Sequence, residues 1–170
     1  MNDIGKIKVI MMDVDGVITD GSINYDSDGK EIKCFNVQDG LAIKCAMKSG
    51  IQIYWISSRK SKAVSIRAKE LEIHKVYQDV EDKKAVVEKI MKEDNLSSSE
   101  ISYIGDDLVD IHPMKIAGLS IAVANACPEV KKHATIVTRA KGGQGAVREA
   151  IELILKKQGQ WEKIIKKYTL

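Results

Sequence analysis

The sequence of 170 residues contains a single Phe and two Pro, and aromatic side chains make up only 5% of it. With so few rings to stack on unpaired bases, a single-stranded nucleic-acid platform is excluded as a reading. Its three cysteines, Cys34, Cys45 and Cys127, lie far apart and form no CxxC pair. That spacing supports neither a zinc site nor a disulfide framework. No apolar run approaches the roughly eighteen residues of a membrane span, and the first residues do not read as a signal peptide. A cytoplasmic protein with no membrane or nucleic-acid partner is expected. The net charge is only +3, and its basic excess, from Lys156-Lys157 to Lys166-Lys167, reads as a solvated helix end.

What remains is an ordinary globular composition, 44% hydrophobic and 30% charged. The length suits one domain, 1–170, with a core that needs no staples. Val9-Ile10 reads as a buried strand that breaks into Asp13-Val14-Asp15-Gly16. Alternating Ile23 and Tyr25, the turn residues Asp26-Ser27-Asp28-Gly29, and then Ile32, Cys34 and Phe35 predict a protruding β-hairpin over about 21–35. Its apolar groups have no second sheet to cover them, so a neighbouring subunit is expected to do so.

Strands and helices then alternate. A helix capped by Asp39 runs over about 39–49, strand 51–56 ends at Ser57-Ser58-Arg59, and helix 61–71 leads to strand 75–77. Helix 83–93 is followed by strand 101–104, which stops at Gly105-Asp106-Asp107. A short helix over 108–117, strand 119–123, a short helix begun by Cys127-Pro128, strand 136–137 and helix 146–157 complete the series, with a tail over about 158–170. This pattern predicts an α/β fold, a three-layer parallel sheet with helices on both faces.

Ligands of open parallel sheets bind where the strands end. Asp13 and Asp15 end the first strand, Ser57 the second and Asp106 and Asp107 the fourth, while Lys83 opens the helix after the third. Carboxylates this close repel one another and raise each other's pKa unless a cation sits between them. Oxygen ligands with room for water suit Mg²⁺. A phosphate would complete such a site, with Ser57 and Lys83 on the phosphoryl oxygens and one Asp as nucleophile beside an Asp acid/base.

These four stations, in their order, resemble the motifs of the haloacid dehalogenase superfamily. The hairpin, Phe35-Asn36-Val37-Gln38-Asp39-Gly40, Gly105-Asp106-Asp107-Leu108-Val109-Asp110 and the stretch 137–149 are similar to its phosphatases of 3-deoxy-D-manno-octulosonate 8-phosphate (KDO 8-phosphate). The resemblance implies a Rossmann-like fold with no cap domain, Mg²⁺, a sugar-phosphate substrate, a role in lipopolysaccharide precursor synthesis, and a homotetramer joined through hairpins. It makes Asp13 the nucleophile, Asp15 the acid/base and Ser57 and Lys83 the phosphoryl ligands. The metal would be held by Asp13, the Asp15 backbone carbonyl and Asp106, with Asp107 and Asp110 behind them.

A sugar acid also carries a carboxylate, which a guanidinium fork suits, so Arg59 and Arg67 are the substrate candidates. Gly142-Gly143-Gln144-Gly145 is either an anion nest at a helix start or a turn. The resemblance gives it, through Gly143 and with Arg139 nearby, a part in covering substrate. Ser58 stands where the family usually has glycine, so a strained phosphate loop is expected if the backbone there needs φ > 0. His112 reads as a surface or packing residue rather than a ligand, and Trp55 as core. Trp161 and Tyr168 are candidates to dock on a neighbouring chain. A phosphatase for a nine-carbon ulosonate 9-phosphate and a phospho-acceptor signalling domain are the alternative functions.

Overall fold

The computed structural model describes residues 4–169. Residues 1–3 and 170, the ends of the expected domain and tail ranges, lie outside them. Strand β1 (Val9–Met12) is apolar throughout and buried on both faces, as a central parallel strand must be. The hairpin follows as β2 (Asn24–Tyr25) and β3 (Glu31–Ile32), an antiparallel ribbon in which Asn24 faces Ile32. Asp26 makes its turn by accepting the backbone N–H groups of Asp28 and Lys30. The chain continues through α1 (Val37–Lys48), β4 (Gln52–Ile56), α2 (Lys62–Leu71), β5 (Lys75–Tyr77), α3 (Lys83–Glu93) and β6 (Ile101–Gly105). A 3-10 turn, Leu108–Asp110, leads into α4 (Ile111–Ile116), followed by β7 (Leu119–Ala122), α5 (Pro128–His133), β8 (Ile136–Val137), α6 (Ala146–Lys157) and α7 (Trp161–Thr169).

Six parallel strands form one sheet in the order β5-β4-β1-β6-β7-β8. The chain builds outward from β1 to β5, returns to β6 on the other side of β1, and builds outward again to β8. Right-handed crossovers therefore put α1 and α2 on one face and α3, α4 and α5 on the other. The packing agrees: α1 lies against α2 and α6, and α4 against α3 and α5. This is the expected three-layer α/β arrangement, and no cap domain interrupts the described residues. The reversal at β1 and β6 opens a crevice at their carboxyl ends. Trp55, Tyr54 and Tyr103 are the largest fully buried side chains of the core.

Two local expectations are corrected. The first helix starts at Val37, with Asn36 as its cap, accepting the backbone N–H of Gln38 at 2.7 Å and of Asp39 at 3.3 Å. Asp39 is buried and serves a different helix. Its carboxylate accepts the N–H of Arg148 at 2.7 Å and of Gly145 at 3.3 Å, capping the start of α6. The second correction concerns the tail. After a left-handed Gly159 (φ +67°) the chain turns into α7, and Trp161 is buried on its own chain. Arg148 and Lys156 stand 5.0 and 5.5 Å from the centre of its ring. Tyr168, by contrast, is exposed.

Candidate active site

Asp13 follows β1 directly, and its Oδ1 accepts the backbone N–H of Val14 at 2.7 Å and the Lys83 ammonium at 2.8 Å. Lys83, the first residue of α3, also donates to Asp110 Oδ1 at 2.8 Å. Asp110 is fully buried, and its two oxygens further take the Tyr103 hydroxyl at 2.9 Å and the backbone N–H groups of Asp106 at 3.0 Å and Asp107 at 3.3 Å. Asp110 thus reels the turn after β6 back onto the strand end. Gly105 makes this possible, since a Cβ there would lie 2.5 Å from that of Asp110.

Oxygens of Asp13, Asp106 and Asp110 all lie within 4.8 Å of one another. Burial, reinforced by the Asp110 charge and only partly offset by Lys83, pushes Asp13 up to about 7. Burial followed by the charges of Asp13 and Asp110 pushes Asp106 up to about 8. For Lys83, burial works against the charge, but Asp110 and Asp13 outweigh it and hold the ammonium above its ordinary value. One ammonium does not neutralise three carboxylates. Among the described residues Asp106 Oδ1 is buried with no hydrogen-bond donor, so a hard divalent cation fits a demand the protein leaves open.

Gly16 is required by the same geometry. It sits at φ +92°, and a Cβ there would come within 2.0 Å of Asp106 Oδ2. The glycine-rich loop closes behind it. A Cβ on Gly142 would fall 1.7 Å from the Gly16 carbonyl oxygen, and one on Gly143 2.6 Å from the Asp20 nitrogen. Asn125 joins the two loops, donating to the Gly16 carbonyl at 3.1 Å and accepting the Gly142 N–H at 2.6 Å. Gly143 therefore braces the backbone that carries the acidic pair.

The other sequence candidates divide. Ser57 is buried at the end of β4, and its oxygen accepts the Arg59 N–H at 3.1 Å. Asp15 turns its carboxylate to the hairpin, where it is paired with Lys33. Arg59 donates to Glu31 at 2.8 Å, so its guanidinium anchors the hairpin. Arg67 is not brought to the acidic cluster: it pairs with Glu70 at 3.1 Å and lies 5.9 Å from the centre of the Phe35 ring. Asp107 does not reach Lys83 either; its side chain is exposed and accepts the Leu108 N–H at 2.8 Å. Arg139 is almost fully exposed and His112 faces solvent. Ser58 causes no strain, because the left-handed non-glycine residues are Glu72, Asp79 and Asn95.

Sequence reasoning passed over Lys33, Glu31, Ser61, Tyr103 and Asn125. Glu31 takes Arg59, the Ser61 hydroxyl at 2.5 Å and Lys33 at 3.3 Å. Burial would raise its pKa, but the Ser61 hydrogen bond and the Lys33 and Arg59 charges bring it below the ordinary value. The signal was present as two opposite charges at i and i+2 of an extended segment, which share one face. Asn125 gives no local signal, because its partners lie in distant loops.

A buried carboxylate cluster with a lysine at the carboxyl ends of central parallel strands defines a metal-assisted phosphotransferase or phosphohydrolase site. The family model for haloacid dehalogenase-like hydrolases matches residues 54–151, and the chain belongs to that family. Nearly its whole length is similar to 3-deoxy-D-manno-octulosonate 8-phosphate phosphatase KdsC of Escherichia coli, 41% identical over 155 residues that make up 91% of this chain and 82% of that one. The crystal structure of 3-deoxy-D-manno-octulosonate 8-phosphate phosphatase from Moraxella catarrhalis, in complex with magnesium ion, phosphate ion and KDO, matches with a TM-score of 0.95 at 40% identity, covering 98% of this chain and 95% of that one. The cobalt-bound deoxy-D-mannose-octulosonate 8-phosphate phosphatase from Haemophilus influenzae matches with a TM-score of 0.89 at 38% identity over 94% and 93% of the two chains. Membership of this family leaves the phospho-acceptor signalling alternative without support.

Proposed function

We propose that the chain is a Mg²⁺-dependent phosphomonoesterase that hydrolyses KDO 8-phosphate to KDO and inorganic phosphate, a step in lipopolysaccharide precursor synthesis. The observation that carries it is the Asp13, Asp106 and Asp110 cluster, in which a buried Asp106 oxygen lacks any donor and the one lysine pairs with Asp13 and Asp110 but not with Asp106. The choice of substrate rests on the relatives named above, one of them crystallised with magnesium, phosphate and KDO. Asp13, the backbone carbonyl of Asp15 and Asp106 would hold Mg²⁺, which when bound supplies positive charge to the carboxylates and to the phosphoryl oxygens.

In the first step an Asp13 carboxylate oxygen forms a bond to phosphorus as the bond from phosphorus to the sugar oxygen breaks, and Asp15 gives that oxygen its proton. In the second, Asp15 takes a proton from water as the water oxygen attacks phosphorus, and the bond to Asp13 breaks. Lys83 and the Ser57 hydroxyl hold the phosphoryl oxygens, and Asp110 keeps Lys83 in place. Gly143 acts by bracing the Gly16 to Asp20 loop. Arg59 spends one nitrogen on Glu31 and is about one third exposed, so its remaining N–H groups are the ones offered to the substrate carboxylate.

The working unit is a single hydrolase domain over 1–170, cytoplasmic and assembled as a homotetramer through the hairpin, with the outer face of the tail helix beside a neighbour. Among the described residues no helix is long and apolar enough to cross a membrane. Phosphate release from KDO 8-phosphate and from a nine-carbon ulosonate 9-phosphate, with and without Mg²⁺, tests the proposal. The expected result is Mg²⁺-dependent turnover that favours the eight-carbon ester and falls by about 10³-fold or more in Asp13→Asn. A clear preference for the nine-carbon ester overturns the substrate, and substantial turnover by a folded Asp13→Asn overturns the mechanism.

A further inference from the structure

Lys33 is the most deeply placed charge of the hairpin. Its side chain is 1% exposed, yet it belongs to a ribbon whose apolar side chains Ile23, Tyr25 and Ile32 are about half exposed. Those side chains do not hold the ribbon down: among the described residues, apart from Phe35 packed against the core where the hairpin ends, its contacts with the domain are ionic and polar. Lys33 donates to Asp15 Oδ1 and lies 3.3 Å from Glu31, while Glu31 is tied to Arg59 at 2.8 Å and to the Ser61 hydroxyl. An ammonium this deeply buried is kept there only if carboxylates answer it, and one of the two that do is the side chain proposed above to move the proton. Asp13 and Asp15 are two residues apart but are held by different cations: Asp13 by Lys83 from α3, and Asp15 by Lys33 from the hairpin. Among the described residues Lys33 is the only side chain that hydrogen-bonds the Asp15 carboxylate.

We propose that Lys33 is a positioning residue for the reaction, fixing the Asp15 carboxylate on the leaving-group side of the site and away from the Asp13 and Asp106 cluster. The inference rests on the phosphatase reading given above. It predicts a dependence on the leaving group. A sugar alcohol leaves as an alkoxide and needs a correctly placed acid, whereas p-nitrophenolate leaves well without one. A lysine that only fastened the hairpin would affect both esters alike.

Rapid-mixing measurements of the first step compare wild type, Lys33→Met, Lys33→Arg and Glu31→Gln on KDO 8-phosphate and on p-nitrophenyl phosphate, with saturating Mg²⁺. Thermal melts monitor folding. For Lys33→Met the release of KDO is expected to slow by about 10²-fold, in the range ascribed to a positioned acid, and the release of p-nitrophenol by less than about threefold. Lys33→Arg keeps the charge and should show the same selectivity with a smaller loss, which serves where Lys33→Met folds poorly. Glu31→Gln loosens the hairpin but leaves Lys33 on Asp15; because it also frees Arg59, which only the sugar acid engages, first-step rates are compared at saturating ester, where any loss should fall equally on the two. Equal losses in the Lys33 variants, no loss at all, or a selective loss in Glu31→Gln overturns the proposal. Failure of the phosphatase reading would look different, since wild type itself would not turn over KDO 8-phosphate.

Discussion

Single atoms decide what the acidic loop tolerates. Gly16 and Gly50 both have positive φ, +92° and +86°, so an alanine at either position suffers the same left-handed strain, about 1 kcal/mol. The Cβ at Gly50 would meet nothing, whereas at Gly16 it would collide with Asp106 Oδ2. Gly50→Ala should therefore lower stability slightly and leave turnover intact. Gly16→Ala should weaken Mg²⁺ binding by about 10- to 100-fold, the range for disturbing what holds a metal ligand. Titration of Mg²⁺ against activity in the two variants checks the contrast, and equal Mg²⁺ requirements would refute it.

The same carboxylates set a pH dependence. With Asp13 raised to about 7 and Asp106 to about 8 in the cation-free site, the folded chain binds protons more tightly than the unfolded one, whose carboxylates titrate near 3.9. Stability should therefore fall as pH rises from 5 toward 8 and level off above that. Glu31, Asp94 and Glu152, with pKa values below the ordinary ones, act in the opposite direction but below about pH 4.5, outside this window. Lys83, held charged above its ordinary range, does not titrate within it. Because a metal binds the deprotonated carboxylates, Mg²⁺ should raise the melting temperature much more at pH 8 than at pH 5. Melting curves in chelator and in Mg²⁺ test this, and a Mg²⁺ effect that is the same at both pH values contradicts it.

At the scale of elements, α1 and α6 are joined by one carboxylate. Asp39 accepts the N–H groups of Gly145 and Arg148, and burial raises its pKa although those bonds lower it. Asp39→Ala should cost about 2 kcal/mol, the upper range for a lost helix cap. Asp39→Asn keeps an acceptor and should cost less than half of that. Urea midpoints at constant slope measure the difference, and identical midpoints for the two variants would rule out capping.

The same residue shows where sequence reading stops. The alternation of strands and helices was legible because each element carries its own periodicity, and helix 83–93 was placed to the residue. Asn36 and Asp39 are both good cap residues, and no local pattern says that one serves its own helix while the other serves a helix more than a hundred residues away. The placement of Asp13, Asp15, Ser57, Lys83 and Asp106 at strand ends and a helix start was legible because each element shows its own boundary. The partners of Arg59, Arg67 and Lys33 were not. A long side chain on a loop or hairpin can reach several partners, and only tertiary packing selects one of them.

At the scale of the molecule, the hairpin is an unfinished surface. A two-stranded ribbon is marginal by itself, and this one presents Ile23, Tyr25 and Ile32, exposed by 56%, 60% and 48%. The catalytic edge nearby exposes Val37, Leu41, Leu108 and Val109 as well. Both features fit the proposed tetramer, in which hairpins from different chains cover one another. Tyr25→Lys combined with Ile32→Glu should then shift the sedimenting species from tetramer to a smaller one without unfolding the α/β domain, whose core these residues do not enter. Turnover should follow the assembly. Apart from Phe35 at its end, the ribbon that carries Lys33 is braced mainly by its ion pairs once its neighbours leave, so dilution of the variant should lower specific activity in step with dissociation. A variant that sediments like wild type, or a dissociated one with full activity at every dilution, would separate the hairpin's apolar face from assembly and from catalysis.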